Sequence, residues 1–114
     1  RVSKTLVVML DAKEFGVGVI RVWAMLSMKN IAKAAGAKKA AMADKQDVER
    51  ISGYVLGGVS PLGQKKSLRT FIDSSAQQQI TIYVSAGRRG LEVELAPDTL
   101  KNLARGSFAD IAQE

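Results

Sequence analysis

"TLVVMLDAKEFGVGVIRV", residues 5–22, is two apolar, β-branched runs separated by four residues of turn chemistry. Thr5–Leu10 reads as a buried strand and Phe15–Val22 as its partner, with Asp11–Glu14 as the hairpin turn. A second pair stands later in the chain: Ile80–Ser85 (ITIYVS) and Leu91–Leu95 (LEVEL), with "AGRRG" as the turn between them. Alternation along LEVEL puts Glu92 and Glu94 on one face and the apolar residues on the other. Working outward, Ser27 can cap a helix to about Ala35, with Gly36 at its end. Ala40–Ala43 reads as a brief strand, and Asp44 opens a second helix in which Val48 and Ile51 share a face. Thr70–Asp73 reads as a short strand and Ser74–Gln79 as a polar connection. Pro97 and Asp98 start a third helix that runs to about Ala104 and stops near Gly106. Strands and short helices without strict βαβ alternation argue for one α+β domain with a mixed sheet.

The chain has 114 residues, 46% of them hydrophobic and 25% charged, which suits a single globular domain. Neither cysteine nor histidine occurs. Disulfides, zinc-finger sites, a cysteine nucleophile and a Ser-His-Asp triad are therefore excluded. The eleven acidic residues show no EF-hand spacing, so neither a metal site nor any other cofactor is expected. Any chemistry must come from backbone dipoles, lysine, hydroxyls, carboxylates or the substrate itself. The apolar runs are far shorter than the roughly 20 residues of a membrane span, and no signal-peptide pattern appears, so the cytoplasm is the expected compartment. The formal charge of +6 is uneven: residues 29–69 hold nine Lys/Arg against three Asp/Glu. Such a basic segment suits a polyanion, RNA or DNA foremost, or simply a solvated face.

Within that segment, "GGVSPLGQKKS" (57–67) imitates a phosphate-binding loop. It fails as one, because Gln64 takes the lysine position, Lys65 the hydroxyl position, and Pro61 removes a backbone donor.

Three segments in order, "KTL" at residues 4–6, "GYVLGGVSPLGQKK" at 53–66 and "IYVSAGRRGLEVEL" at 82–95, resemble the YbaK/prolyl-tRNA synthetase-associated domain family. The likeness is to its YbaK branch of Cys-tRNA(Pro) deacylases and covers almost the whole chain. It implies a barrel-like mixed α/β fold and trans-editing, in which a mischarged aminoacyl-tRNA is cleaved at its ester. The implied step is substrate-assisted: the thiol of the mischarged cysteine attacks its own carbonyl. An aminoacyl ester is already activated, so a pocket without histidine or cysteine can serve it by positioning and charge stabilisation.

The resemblance also implies the site. Lys4 matches a functional lysine at the start of the first strand. Gly57 to Pro61, with Gly58 and Ser60, matches a G-x-x-x-P loop that holds the 3′-terminal adenosine and the ester. Lys65, Lys66 and Arg69 then lie where RNA phosphates would pass. Ser85, Ala86 and Gly87 match a small-residue segment beside the ester, Ala86 standing where the family has glycine. Glu92 stands where relatives carry aspartate; a solvent-face role for it is equally open. The implied partners are mischarged tRNA at its acceptor end and prolyl-tRNA synthetase. The departures are a start at "KTL" without the N-terminal segment of the family, and "RVWAML" (21–26), whose Trp23 and Met25 would form an exposed apolar patch and mark an interface. The expectation is one editing domain over residues 1–114, lacking that segment. A non-cleaving module of the same fold that holds the acceptor end or a nucleotide is the alternative, and an insertion domain of a prolyl-tRNA synthetase a third.

Overall fold

The computed structural model describes residues 2–52, 61–62, 68–88 and 90–113, the side chains of Ile51, Ser52 and Arg88 excepted. The opening hairpin is its spine. β1 (Ser3–Leu10) pairs antiparallel with β2 (Glu14–Arg21) over eight positions, from Ser3↔Arg21 to Leu10↔Glu14. The three-residue turn places Asp11 and Ala12 at φ of 52° and 54°, and the Lys13 N–H donates to the Leu10 carbonyl. Alanine gains nothing in this left-handed region, whereas glycine enters it freely. Ala12→Gly is therefore expected to raise stability by about 0.5–1 kcal/mol, read as a higher denaturant midpoint at unchanged slope.

After β3 (Met25–Leu26), α1 (Met28–Ala35) begins at Ser27, whose Oγ accepts the Asn30 N–H, and ends at Gly36 with φ 72°. β4 (Ala40–Met42) then joins the second half of β1 antiparallel. The Asp11 carboxylate accepts the N–H groups of Lys38 and Lys39, tying the β1–β2 turn to the loop before β4. α2 (Lys45–Ser52) buries Val48 against Val7. β5 (Arg69–Asp73) pairs parallel with β2, one residue longer than the sequence suggested, and its far edge takes β8. β6 (Ile82–Arg88) and β7 (Leu91–Leu95) form the second hairpin, and α3 spans Pro97–Ala104. β8 (Ser107–Ala109) and β9 (Ala112–Gln113) follow, β9 pairing with β3. The five-stranded order is β4-β1-β2-β5-β8, and the β6–β7 hairpin meets the start of β1 through a Val2↔Tyr83 bridge. The architecture is a mixed-sheet α+β domain, as expected.

Both faces of the sheet are buried. Val8, Leu10 and Ile20 pack under α1 with Leu26, Ile31 and Ile111. Their strand neighbours Val17 and Val19 face the other way, onto Ile72, Ile82, Val84 and Leu100. Two expectations need correction. Leu91 and Val93 of LEVEL are 50% and 37% exposed, because no described element covers that side of the hairpin. The first strand of this hairpin starts at Ile82 rather than Ile80, which is 92% exposed, and it runs on through Ala86 and Gly87 to Arg88. α3 stops as expected but by a different device: Arg105 takes the left-handed conformation at φ 53°. Gly106 instead allows close approach, since a Cβ there would lie 3.0 Å from the Thr70 carbonyl oxygen.

Asp73 fastens the last strands to the sheet. At the end of β5 it is 6% exposed, and it accepts hydrogen bonds from the Ser75 N–H and hydroxyl and from the N–H groups of Ile111 and Ala112, the latter two at 3.0 and 2.9 Å. Burial pushes its carboxyl pKa up. The hydrogen bonds from the Ser75 hydroxyl and the Ala112, Ile111 and Ser75 amides outweigh that and hold it below the ordinary value.

Candidate active site

The first half of β1 is where the sheet leaves room. β4 pairs only with Val8, Met9 and Leu10, so a cleft of about 390 Å³ opens beside Ser3–Leu6. Lys4, Thr5, Ser85, Leu91 and Glu92 line it, with Val22 at one side. Lys4 and Ser85, which lie 81 positions apart in the sequence, therefore share one cavity. Glu92 sits directly across the hairpin from Ser85, in register.

The strand chemistry explains how these groups arrive. Lys4 is half-buried on the face that Leu6, Val8 and Leu10 continue, and it lines the opening. Ser85 stands just before an irregularity in β6, where the register shifts before Arg88. Gly87 within it has φ 92°, a conformation for which glycine is the natural occupant. Such a bulge re-aims the neighbouring side chains, as bulges beside active sites do.

Two hydroxyls on the strands beside the cleft stand out, Ser85 on the Lys4 side of the sheet and Thr5, level with Val19, on the opposite side. The Oγ1 of Thr5 and the Oγ of Ser85 are buried without a hydrogen-bond partner among the described residues. A buried, unmatched hydroxyl costs about 1–3 kcal/mol, and native proteins seldom keep one without a use. Thr5 was not singled out from the sequence, where a β-branched residue in a strand needs no further reason. Ser85→Ala is expected to leave stability unchanged or raise it by about 1 kcal/mol, while lowering ester cleavage by roughly ten- to a hundredfold. Thermal melting and single-turnover deacylation measure the two effects separately.

The other sequence-derived residues are distributed unevenly. Pro61 is buried and Ala86 exposed, and neither lines this cleft. Gly57, Gly58, Ser60, Lys65 and Lys66 lie outside the described residues. Arg69 is engaged locally: its guanidinium donates to Glu14 Oε1 at 2.9 Å and to the Ala35 carbonyl at 3.0 Å, and lies 5.5 Å from the Phe71 ring centroid. It stands level with Gly16, whereas Lys4 is level with Ile20, so roughly 13 Å of strand separates them. Trp23 and Met25 are 62% and 64% exposed, the surface patch anticipated from RVWAML, and the Arg21 guanidinium covers Trp23 at 4.5 Å from the ring centroid. Among the described residues no group of three acidic side chains could hold a metal ion, and no helix is long and apolar enough to cross a membrane.

With this geometry in place, comparison with known proteins is informative. The family model of the aminoacyl-tRNA editing domain matches residues 1–103. A curated relative from Enterococcus faecalis, "Putative Cys-tRNA(Pro)/Cys-tRNA(Cys) deacylase EbsC", is 43% identical over 111 residues, which are 97% of this chain and 68% of that protein. Among solved structures, the hypothetical protein APE2540 superposes with a TM-score of 0.89 at 24% identity, over 98% of this chain and 74% of its own. Another, "a putative trans-editing enzyme for prolyl tRNA synthetase", gives 0.88 at 19% identity, over 99% of this chain and 71% of its own. The structures establish the fold, and the sequence matches establish kinship: the chain belongs to the aminoacyl-tRNA editing domain family.

Proposed function

We infer that this chain is a trans-editing hydrolase that deacylates mischarged aminoacyl-tRNA, with Cys-tRNA(Pro) as its substrate. The observation that carries the reading is that Lys4 and Ser85, whose buried hydroxyl has no partner among the described residues, line one cleft. A 43% identical relative named for the same reaction supports it.

The chemistry asks little of the protein. The ester that joins an amino acid to the terminal ribose is a reactive acyl compound, and its cleavage needs a nucleophile, an oxyanion partner and a leaving ribose oxygen. In the substrate-assisted route the cysteine thiolate attacks its own carbonyl carbon. Charge builds on the carbonyl oxygen, the C–O bond to the ribose breaks, and the ribose oxygen takes up a proton. The resulting cyclic thioester then hydrolyses to free cysteine. Lys4 supplies a positive charge for the developing oxyanion or the ribose oxygens, and the Ser85 hydroxyl donates to the ester. Glu92 stands across from Ser85 at the cleft, where its carboxylate can meet the bound aminoacyl group. The family resemblance assigns the terminal adenosine to Gly57, Gly58, Ser60 and Pro61 and the RNA phosphates to Lys65 and Lys66. Residues 1–114 act as one domain, a tRNA substrate sets the cytoplasm as the workplace, and prolyl-tRNA synthetase is the natural companion in choosing the tRNA.

The test is a deacylation panel. Purified protein is incubated with tRNA(Pro) charged with cysteine, alanine or proline, and free amino acid is followed over time. Rapid release of cysteine alone is the expected result. Tight binding of the tRNA without release of any amino acid would convert the reading into that of a non-cleaving acceptor-end module.

A further inference from the structure

Residues 29–39 hold four lysines and no acidic residue, and the fold gathers them. Lys29 and Lys33 lie one turn apart on the outer side of α1, and Lys38 and Lys39 follow on the loop to β4. All four are exposed and line one shallow groove of about 510 Å³ with Met28 and the alanines at 32, 37 and 40. No acidic residue lines it, and none of the four ammonium groups has a carboxylate partner among the described residues. The alanine floor leaves space between the charges. Asp11 fixes the wall of the groove, because its carboxylate holds the backbone amides of Lys38 and Lys39 and leaves their side chains outward.

This arrangement works against the helix that carries it. Lys29 sits in the first turn of α1, which has no acidic residue, so a cation faces the positive end of the helix dipole. Lys29 and Lys33 are also like charges at i, i+4. A surface selected only for solubility has no reason to prefer lysine at position 29 over glutamate, which would stabilise the helix at both counts. An external polyanion supplies that reason. The groove also shares its sheet face with the cleft. α1 packs over Val8 and Leu10, the continuation of the Lys4 row, and β4 meets β1 at that far end. Cleft and groove are thus displaced along one strand by roughly 13–20 Å.

We propose that this four-lysine groove binds backbone phosphates of the tRNA acceptor stem while the 3′ end occupies the cleft. The proposal rests on the reading of the chain as acting on tRNA, and the groove supplies affinity without touching the ester. Phosphate contacts of this kind are read through salt: each lysine engaged lowers the slope of log affinity against log salt by about one when removed.

The experiment measures binding of uncharged tRNA(Pro) by fluorescence anisotropy across a salt series, beside deacylation kinetics. The variants are a quadruple glutamine replacement (Lys29→Gln, Lys33→Gln, Lys38→Gln, Lys39→Gln) and the single Lys29→Glu. The quadruple variant is expected to lose at least about tenfold in affinity and two or more from the salt slope. Its KM for Cys-tRNA(Pro) rises by the same factor at unchanged kcat, and cleavage of a cysteinyl ester on a short 3′-terminal fragment is unaffected. Lys29→Glu is expected to bind tRNA severalfold more weakly yet melt no lower than the parent. This separates an RNA contact from a structural role and keeps the test alive should the quadruple variant fold poorly. Affinity within twofold of the parent and an unchanged slope in both variants would overturn the proposal. A parent protein that binds tRNA in this salt-dependent way but releases no cysteine would reject the hydrolase reading and leave the groove assignment standing.

Discussion

Lys4→Ala is expected to slow cysteine release from Cys-tRNA(Pro) by about 10²–10³-fold, the size of effect that follows loss of one charged or hydrogen-bonding group aimed at a developing oxyanion. The chain has no histidine or cysteine to compensate, and Lys4 is the cationic side chain among the described residues lining the cleft. The substitution should be tolerated by the fold. Lys4 is half-buried at the start of β1, and its backbone remains paired with Ile20 whatever the side chain. A melting temperature close to that of the parent, together with collapsed kcat, would locate the loss in the reaction. Lys4→Arg keeps the charge but broadens it over a planar fork, and is expected to recover only part of the rate. Parent-like turnover by Lys4→Ala would remove Lys4 from the site.

The second large effect falls far from the chemistry. Asp73→Ala is expected to cost about 3 kcal/mol and to lower the melting temperature by roughly 10 °C, because hydrogen bonds to a buried charge contribute about 1.5–3 kcal/mol each and do not add fully. The lost carboxylate leaves the N–H groups of Ile111 and Ala112 unmatched and loosens the chain that leads into the β3–β9 pairing. The pH dependence carries the same signature. The carboxyl has a lowered pKa in the folded protein, so its stabilising contribution is complete above the unfolded value near 4. It is lost as pH falls through the depressed folded value. Parent and variant should therefore converge in stability at strongly acidic pH and differ fully at neutral pH. A constant difference across that range would contradict the assignment.

The features legible in the sequence are those set by local physics. The β1–β2 hairpin follows from two apolar runs and a short polar gap, α1 from Ser27 and Gly36, and α3 from Pro97. Strands β8 and β9 were not legible, because two or three residues become a strand only when tertiary pairing supplies the partner. Asp73 was read as the end of a strand; its role depends on amides 38 and 39 positions away. For LEVEL, alternation implied a buried side, yet burial depends on a covering element that no local pattern reports. At the site, Lys4, Ser85 and Glu92 were named from ordered motifs, and the fold brings all three to one cleft. Thr5 was passed over because a hydroxyl without a partner is visible only once its surroundings are known. The segment with nine basic residues was read as a whole, whereas the fold separates it: Arg69 is held by Glu14, while the lysines at 29, 33, 38 and 39 face outward together.

The most direct measurement replaces the thiol of the substrate. Purified protein is given tRNA(Pro) charged with cysteine or, isosterically, with serine, and single-turnover ester cleavage is followed for each. A cleft that holds the acceptor end while the thiol attacks should release cysteine and leave the serine ester at its spontaneous rate. Equal cleavage of both esters, or survival of the cysteinyl ester, would contradict it.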